Sequence, residues 1–353
     1  MPTKKVQIKE FLELAKFHPV LDVRSPSEYQ HAHIPSAYSL PIFNDAQRAE
    51  IGTAYKKISR ADAIKIGFKH FGMQLNKYIE TVECLLKERD SKVLLVHCWR
   101  GGMRSAAMAW ALEFYGYNVV LLDGGYKAYR AHVLKSFEHP YKFKVLGGYT
   151  GSGKTEVLQE LKNKSEAVID LEGLANHKGS SFGALGMPEQ SSQEQFENNL
   201  SEELKQYYTY DEHENFVQLK PIWVENESQR IGLLNIPKVL FENIIKSDLY
   251  IIDIPFEERL NYIQSYYGQF DKADLIAAVL RIQKRLGGQE TKNVLQLLDE
   301  GKQRESFAIL LSYYDRTYLR FADYENRKNF NLVCAKVDAI ENSELLLKLK
   351  DER

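Results

Sequence analysis

Cysteine is scarce in this chain, with three in 353 residues: Cys84, Cys98 and Cys334. Three cysteines so far apart build no disulfide framework and match no zinc-binding spacing, so no metal site is expected and a reducing cytoplasm is. Long apolar runs are also missing. The longest, Val93–Val96 and Val119–Leu122, are the size of a strand and far short of a membrane span. The opening Met1-Pro-Thr-Lys-Lys leads straight into a polar amphipathic stretch, without the apolar core of a signal peptide. Nor is there an excess of charge of either sign: net charge is −1, which neither predicts nor excludes a nucleic-acid partner, since a basic face can sit on a neutral protein. There is no internal repeat and no low-complexity segment. What remains is 44% hydrophobic and 27% charged residues on a chain too long for one ordinary core, which predicts a globular protein of two domains.

The first half alternates strand and helix signals. Val20–Val23, Lys92–His97 and Asn118–Leu122 read as short buried strands. Ser25-Pro26-Ser27-Glu28 has the serine and early carboxylate of a helix start. Met103, Ala106, Ala107, Trp110, Ala111 and Phe114 recur at helical spacing, and Gly116 ends that pattern. A second α/β unit begins with a strand at Tyr141–Leu146. Further strands are expected at Ala167–Asp170, Pro221–Val224, Leu249–Ile254 and Asn331–Val337, with a long helical stretch over Ala273–Tyr324. Strands alternating with helices imply mainly parallel sheets covered on both faces. The expected division is 1–138 and 139–353, near Glu138–Pro140.

Between a strand end and a helix start lies His97-Cys98-Trp99-Arg100-Gly101-Gly102-Met103-Arg104-Ser105. Unpaired N–H groups at a helix N-terminus carry partial positive charge and stabilise a thiolate. Gly101 and Gly102 let the backbone curl around the sulfur, and Arg100 and Arg104 suit an anionic oxygen or chalcogen donor. A lone buried cysteine is usually structural. The glycines and arginines at a helix mouth make Cys98 the candidate nucleophile, while Cys84 and Cys334 lack that setting and are read as structural.

Gly148-Tyr149-Thr150-Gly151-Ser152-Gly153-Lys154-Thr155 fits G-x-x-x-x-G-K-[ST] after a predicted strand. The pattern arises by chance in about one chain per hundred of this length. Backbone N–H groups released by Gly148, Gly151, Ser152 and Gly153 would cradle a phosphate, Lys154 would reach its terminal group, and Thr155 offers a hydroxyl to a magnesium ion. A nucleotide hydrolase adds a carboxylate after a second apolar strand. Asp170, Glu225 and Asp253 are the candidates for magnesium or acid–base work, and each is equally readable as a strand-end cap. Without a decisive carboxylate, a pyrophosphate ligand other than ATP stays open.

Between the two loops, basic and aromatic residues interleave: Tyr126, Lys127, Tyr129, Arg130, Lys135, His139, Tyr141, Lys142 and Lys144, with Glu138 the one acid. That pattern suits a phosphate backbone with stacked, unpaired bases, although a charge run is more often just a solvated face. Lys56, Lys57, Arg60, Lys65 and Lys69 form a second basic stretch.

Leu21-Asp22-Val23-Arg24-Ser25-Pro26-Ser27-Glu28-Tyr29, His33-Ile34-Pro35 and the Cys98 loop together resemble a rhodanese domain, whose cysteine carries sulfur as a persulfide. Ala32 stands where the family usually has glycine, and Asp22 and Arg24 are read as holding the fold. A rhodanese-like parallel-sheet domain followed by a P-loop NTPase-like α/β domain with a helical C-terminal part resembles the tRNA 2-selenouridine synthase family over nearly the whole length. The resemblance implies that wobble 2-thiouridine in tRNA is first alkylated by geranyl diphosphate, and that selenophosphate then displaces the geranylthio group. It implies no tightly bound cofactor. It gives the phosphate loop to geranyl diphosphate and Cys98 to selenation, as a selenium carrier by preference or as attacker of the activated base. Tyr149 is a candidate for the isoprenoid tail. Lys127, Arg130, Lys135, Lys142 and Lys144 become candidate tRNA contacts. A tRNA sulfurtransferase coupled to an ATP-dependent kinase or adenylating unit is the alternative, and a silent rhodanese module beside an NTPase a further one.

Overall fold

The computed structural model describes residues 3–87, 92–321 and 327–351. It forms two compact units, Met1–Ser136 with Glu197–Asn199, and Phe137–Phe196 with Leu200–Arg353.

The first unit is built on five strands, β1 (Lys4–Val6), β2 (Val20–Asp22), β3 (Tyr38–Ser39), β4 (Val93–His97) and β5 (Asn118–Leu122). All pair in parallel, in the order β1-β5-β4-β2-β3. Among the described residues seven helices accompany them: α1 (Ile8–Leu14), α2 (Pro26–His31), α3 (Asp45–Lys57), α4 (Arg60–Gly72), α5 (Leu75–Leu86), α6 (Met103–Tyr115) and α7 (Gly125–Ser136). Leu94, Leu95 and Val96 of β4 are fully buried, which is why the central strands read as unbroken apolar runs. Asp22 and Arg24 form a buried pair at 2.6 Å, and Arg24 also donates to the Ala32 carbonyl and lies 3.7 Å over the Tyr126 ring. Ala32 therefore acts through its backbone oxygen, and the loss of a glycine there leaves that bond intact.

One expectation for this unit, a structural Cys84, needs correction, and the helix after the cysteine loop shows which of its faces packs. Helix α6 buries Ser105, Met108, Ala109, Ala111 and Leu112, whereas Met103, Trp110 and Phe114 are exposed. Alanines lie all round this helix, so the periodicity fits two faces, and contact with the sheet selects the one with small residues. Gly116 does end α6, in the left-handed conformation. Cys84 is exposed on α5, whose buried positions are Tyr78 and Val82.

The second unit has a four-stranded parallel sheet, β13-β12-β6-β9. Its strands in chain order are β6 (Phe143–Gly148), β7 (Tyr208–Tyr210), β8 (Phe216–Gln218), β9 (Ile222–Glu225), β10 (Arg230–Ile231), β11 (Leu234–Asn235), β12 (Asp248–Asp253) and β13 (Asn329–Val333), with β7–β8 and β10–β11 as antiparallel pairs outside the sheet. The helices are α8 (Lys154–Asn163), α9 (Leu171–Leu174), α10 (Gln193–Lys205), α11 (Lys238–Lys246), α12 (Phe256–Tyr267), α13 (Lys272–Leu286), α14 (Gly288–Asp299), α15 (Gln303–Phe321) and α16 (Ala339–Asp351). The long helical stretch is thus three helices, broken at Gly287 and Gly301, and its expected last residues, 322–324, lie outside the described ones. The strand expected at Ala167–Asp170 is only an isolated bridge from Val168 to Trp223, because Asp170 turns away to cap α9. One apolar cluster, with Leu146, Val157, Trp223 and Ile252, packs around the sheet. A second, with Leu275, Val279, Phe307 and Leu311, unites α12–α15. Among the described residues no helix is long and apolar enough to cross a membrane.

Candidate functional site

Cys98 follows the carboxyl end of β4, and Gly102 caps α6 without a side-chain bond. The sulfur is buried, with the residue 3% exposed, and lies 3.3 Å from the Ser105 hydroxyl. Burial pushes the thiol pKa up. The Ser105 hydroxyl, the backbone N–H groups of Ser105 and Arg100, and the Arg104 charge more than offset it, so the thiol sits below its ordinary value. The start of α7 clasps the loop, since Tyr126 and Lys127 donate backbone N–H groups to the carbonyls of Cys98 and Trp99. Gly125 is needed there: its φ is 59°, and an added Cβ would lie 2.3 Å from the Cys98 carbonyl oxygen. Arg104 pairs with Glu28 at 2.6 Å, so it acts on the sulfur as a held charge; Arg100 is exposed. Glu28 also accepts from the Ser25 N–H at the start of α2, which ties the two motifs together. Cys334 is buried, and burial first, then Glu341 and Asp253, push its thiol up to about 11.

In the second unit, β6 runs into the phosphate loop and α8 leaves it, at the carboxyl edge of a sheet with strands on both sides of β6. Gly148, with φ 151°, allows the loop to pass over β12, because a Cβ would meet Ile252 at 2.8 Å. Lys154 Nζ donates to the Gly148 carbonyl at 3.0 Å, and Thr155 Oγ1 donates to Glu172 Oε2 at 3.2 Å. Gly148, Gly151, Ser152, Gly153, Lys154 and Thr155 all line one cavity of about 640 Å³, a size that suits a small-molecule ligand. Apolar and aromatic side chains line it as well: Phe241, Ile245, Tyr262, Ile263, Tyr267 and Tyr314. A small apolar recess shares Ile263, Tyr267 and Tyr314 and continues against Phe307 and Leu311. Tyr149 does not line this cavity; its ring lies 4.9 Å from the Arg259 guanidinium. Arg259 is buried, pairs with Asp315 and donates to the Thr150 carbonyl, bracing the loop from behind.

The carboxylates sort differently from the sequence expectation. Asp170 caps α9 through the Gly173 N–H, and Asp253 is exposed at the end of β12. Glu225 is fully buried and accepts from the Leu171 N–H; burial, then Asp170 and Glu172, push its carboxyl well above the usual range. None of the three lines the cavity. Glu172 and Glu227 do, each two residues beyond one of the expected carboxylates. A strand-end rule points at Asp170 and Glu225, whereas the turns that follow deliver the next carboxylate to the loop. Thr155 and Glu172 offer the hard oxygen donors that magnesium takes. Among the described residues no group of three or more His, Cys, Asp or Glu is placed to hold a metal ion.

The basic residues divide as well. Lys127 and Lys135 are exposed on α7, and Lys142 is exposed just before β6. Arg130 is engaged with Glu197 and Asn198, and Lys144 Nζ lies 5.2 Å from the Trp223 ring centre. Lys56, Lys57, Arg60, Lys65 and Lys69 are exposed on α3 and α4 or the turn between them.

A thiol cradle on one parallel sheet and a phosphate loop on another define a rhodanese-like unit joined to a P-loop unit. Residues 6–132 match the model of the rhodanese-like domain, and residues 141–344 match that of the tRNA 2-selenouridine synthase AAA domain. The tRNA 2-selenouridine synthase of Sulfurovum sp. (strain NBC37-1) is 34% identical, over 92% of this chain and 93% of that one. The one from Hydrogenovibrio crunogenus is 31% identical, over 88% and 90%. Among solved structures, the N-terminal domain of an ATP/GTP binding protein from Clostridium difficile 630 is 35% identical, covering 37% of this chain and 99% of that chain with a TM-score of 0.34. The chain belongs to the tRNA 2-selenouridine synthase family, enzymes that modify tRNA.

Proposed function

We propose that this protein converts wobble 2-thiouridine in tRNA to 2-selenouridine in the cytoplasm, by way of S-geranyl-2-thiouridine, with geranyl diphosphate and selenophosphate as co-substrates. The observation that carries the reading is the cavity, lined both by a phosphate loop and by tyrosines, isoleucines and a phenylalanine. A diphosphate bearing an isoprenoid chain suits both kinds of lining.

In the first step the thiouridine sulfur bonds to C1 of the geranyl group as the C1–O bond breaks. The diphosphate leaves with the electron pair. Loop N–H groups and Lys154 take up its growing charge, and the apolar lining holds the chain. Alkylation turns a poor leaving group into a thiol. In the second step the Cys98 thiolate adds to C2 of the base and geranylthiol departs. Selenium from selenophosphate then displaces Cys98, and the phosphate passes to water. Carrying selenium on Cys98 as an S–Se bond would remove two electrons and need a separate oxidant, so electron balance favours attack on the base over the carrier role. Exposed Lys127, Lys135 and Lys142, with the basic side of α3 and α4, are the candidate contacts to the tRNA backbone.

Calorimetry with geranyl diphosphate and with ATP tests the reading. Geranyl diphosphate should bind the wild-type chain and fail with Lys154→Ala, without tRNA-stimulated ATP turnover. Steady tRNA-stimulated ATP hydrolysis that Lys154→Ala abolishes would overturn it in favour of a sulfurtransferase coupled to a kinase.

A further inference from the structure

A diphosphate carries negative charge on both of its phosphates, and a phosphate loop is built to grip one of them. Lys154 alone balances the cavity poorly for such a ligand. Among the described residues, Glu156, Glu172 and Glu227 line it, and Lys154 and Lys178 are the cations that line it with them. Lys154 belongs to the phosphate loop. Lys178 comes from a separate segment, between α9 and α10.

That segment holds its lysine in place. The Lys178 N–H donates to the Gly183 carbonyl at 2.9 Å, and the Gly183 N–H donates back to the Ser180 carbonyl at 2.8 Å, which closes a small loop. Arg281 of α13 ties this loop down through the Ser181 carbonyl at 2.8 Å. Gly179, with φ 60°, turns the backbone close to the chain that follows β9, where a Cβ would lie 2.6 Å from Glu227 Oε2. The Lys178 side chain is half-buried, and its ammonium lies 3.9 Å from the centre of the Tyr266 ring, which also lines the cavity. A ring face attracts the charge but leaves the three N–H donors without a strong acceptor. Among the described residues no carboxylate pairs with Lys178, so those donors remain for a ligand.

We propose that Lys178 is the second cation of a diphosphate site. The Gly148–Thr155 loop grips one phosphate and Lys178 the other, an assignment that rests on the geranyl-transfer reading above. When the C1–O bond breaks, the electron pair stays with a leaving group already held by two lysines from different segments. The same arrangement makes the site prefer ligands with two linked phosphates over those with one.

The test measures the affinity of wild type, Lys178→Met and Lys178→Arg for four probes: geranyl diphosphate, ADP, inorganic diphosphate and inorganic phosphate. Methionine keeps the length of the stem and removes the charge. Lys178→Met should weaken geranyl diphosphate and inorganic diphosphate roughly tenfold or more, as expected for one lost hydrogen bond to a charged group. Inorganic phosphate should bind this variant within about threefold of wild type, and Lys178→Arg should recover most of the diphosphate affinity. Diphosphate affinity that Lys178→Met leaves within about threefold of wild type overturns the assignment. So does an equal loss for phosphate and diphosphate, which would mean that the loop has merely been disturbed. A wild-type chain that binds ADP or inorganic diphosphate but not geranyl diphosphate sinks the geranyl-transfer reading alone, and Lys178 is then judged on the ligands that bind. If it binds none of the four, both readings fail.

Discussion

The Cys98 loop and the Gly148–Thr155 loop share one plan: a buried parallel strand ends, glycines turn the backbone, and a helix begins with its N–H groups directed at the loop. They diverge in what lies beyond. The first closes tightly over a single sulfur, and Arg104, whose charge acts on it, is already paired to Glu28. The second opens on about 640 Å³ bounded by aromatic rings. The same partial charge at a helix N-terminus can therefore tune one atom or hold an extended ligand, and the packing around the loop decides which.

The sharpest way to break that comparison is to disable each loop in turn and identify the wobble nucleoside by mass spectrometry. Cys98→Ser keeps the side chain's size but raises its pKa far above that of a thiol. Selenation should fall by at least about a hundredfold while S-geranyl-2-thiouridine accumulates. Lys154→Ala should leave 2-thiouridine unmodified, and pre-geranylated tRNA should restore its selenation. If both variants accumulate one nucleoside, the two loops do not divide the labour.

A smaller effect concerns what holds the thiol loop's sheet. Breaking the buried Asp22–Arg24 pair with Arg24→Met leaves an uncompensated charge and should cost about 3–5 kcal/mol in thermal or denaturant unfolding. Burial raises the Asp22 carboxyl, but His97 and Arg24 together hold it below its ordinary 3.8. Its contribution is thus fully present above pH 3.8 and disappears as pH falls through the lower folded value. The variant's melting temperature should respond less to acid over that window. An equal acid response in both proteins would remove Asp22 as the cause.

The mildest expected effect lies on the surface. Reversing Lys127 and Lys135 to glutamate should weaken tRNA binding several-fold and flatten its salt dependence, the slope falling by about one for each phosphate no longer neutralised. Lys144→Gln should leave that slope unchanged, because its ammonium already lies over Trp223 and Tyr250. A filter-binding titration in which Lys144→Gln alters the slope and the double reversal does not would reverse the assignment.

Much of this architecture is readable from residues close in sequence. Apolar runs at Val93–His97 and Asn118–Leu122, Gly116 at a helix end, and the two glycine loops each depend on backbone rules that act over a few residues. The two-unit α/β class follows from how they alternate. Contacts between distant segments are another matter. Arg104 meets Glu28 across 76 residues, and Arg259 meets Thr150 across 109. The exposed face of α6 escaped because alanines satisfy helical periodicity in more than one direction. Glu172 and Glu227 escaped because each follows a carboxylate that fits the strand-end rule better. The tyrosines that line the cavity come from α12 and α15, far along the chain from the phosphate loop. Local sequence determined where a thiolate and a phosphate are stabilised, since helix termini and glycine turns are made by neighbours. Tertiary packing alone decided how much room each receives and which carboxyl keeps its proton, because burial and charge pairing are set by segments that meet only on folding.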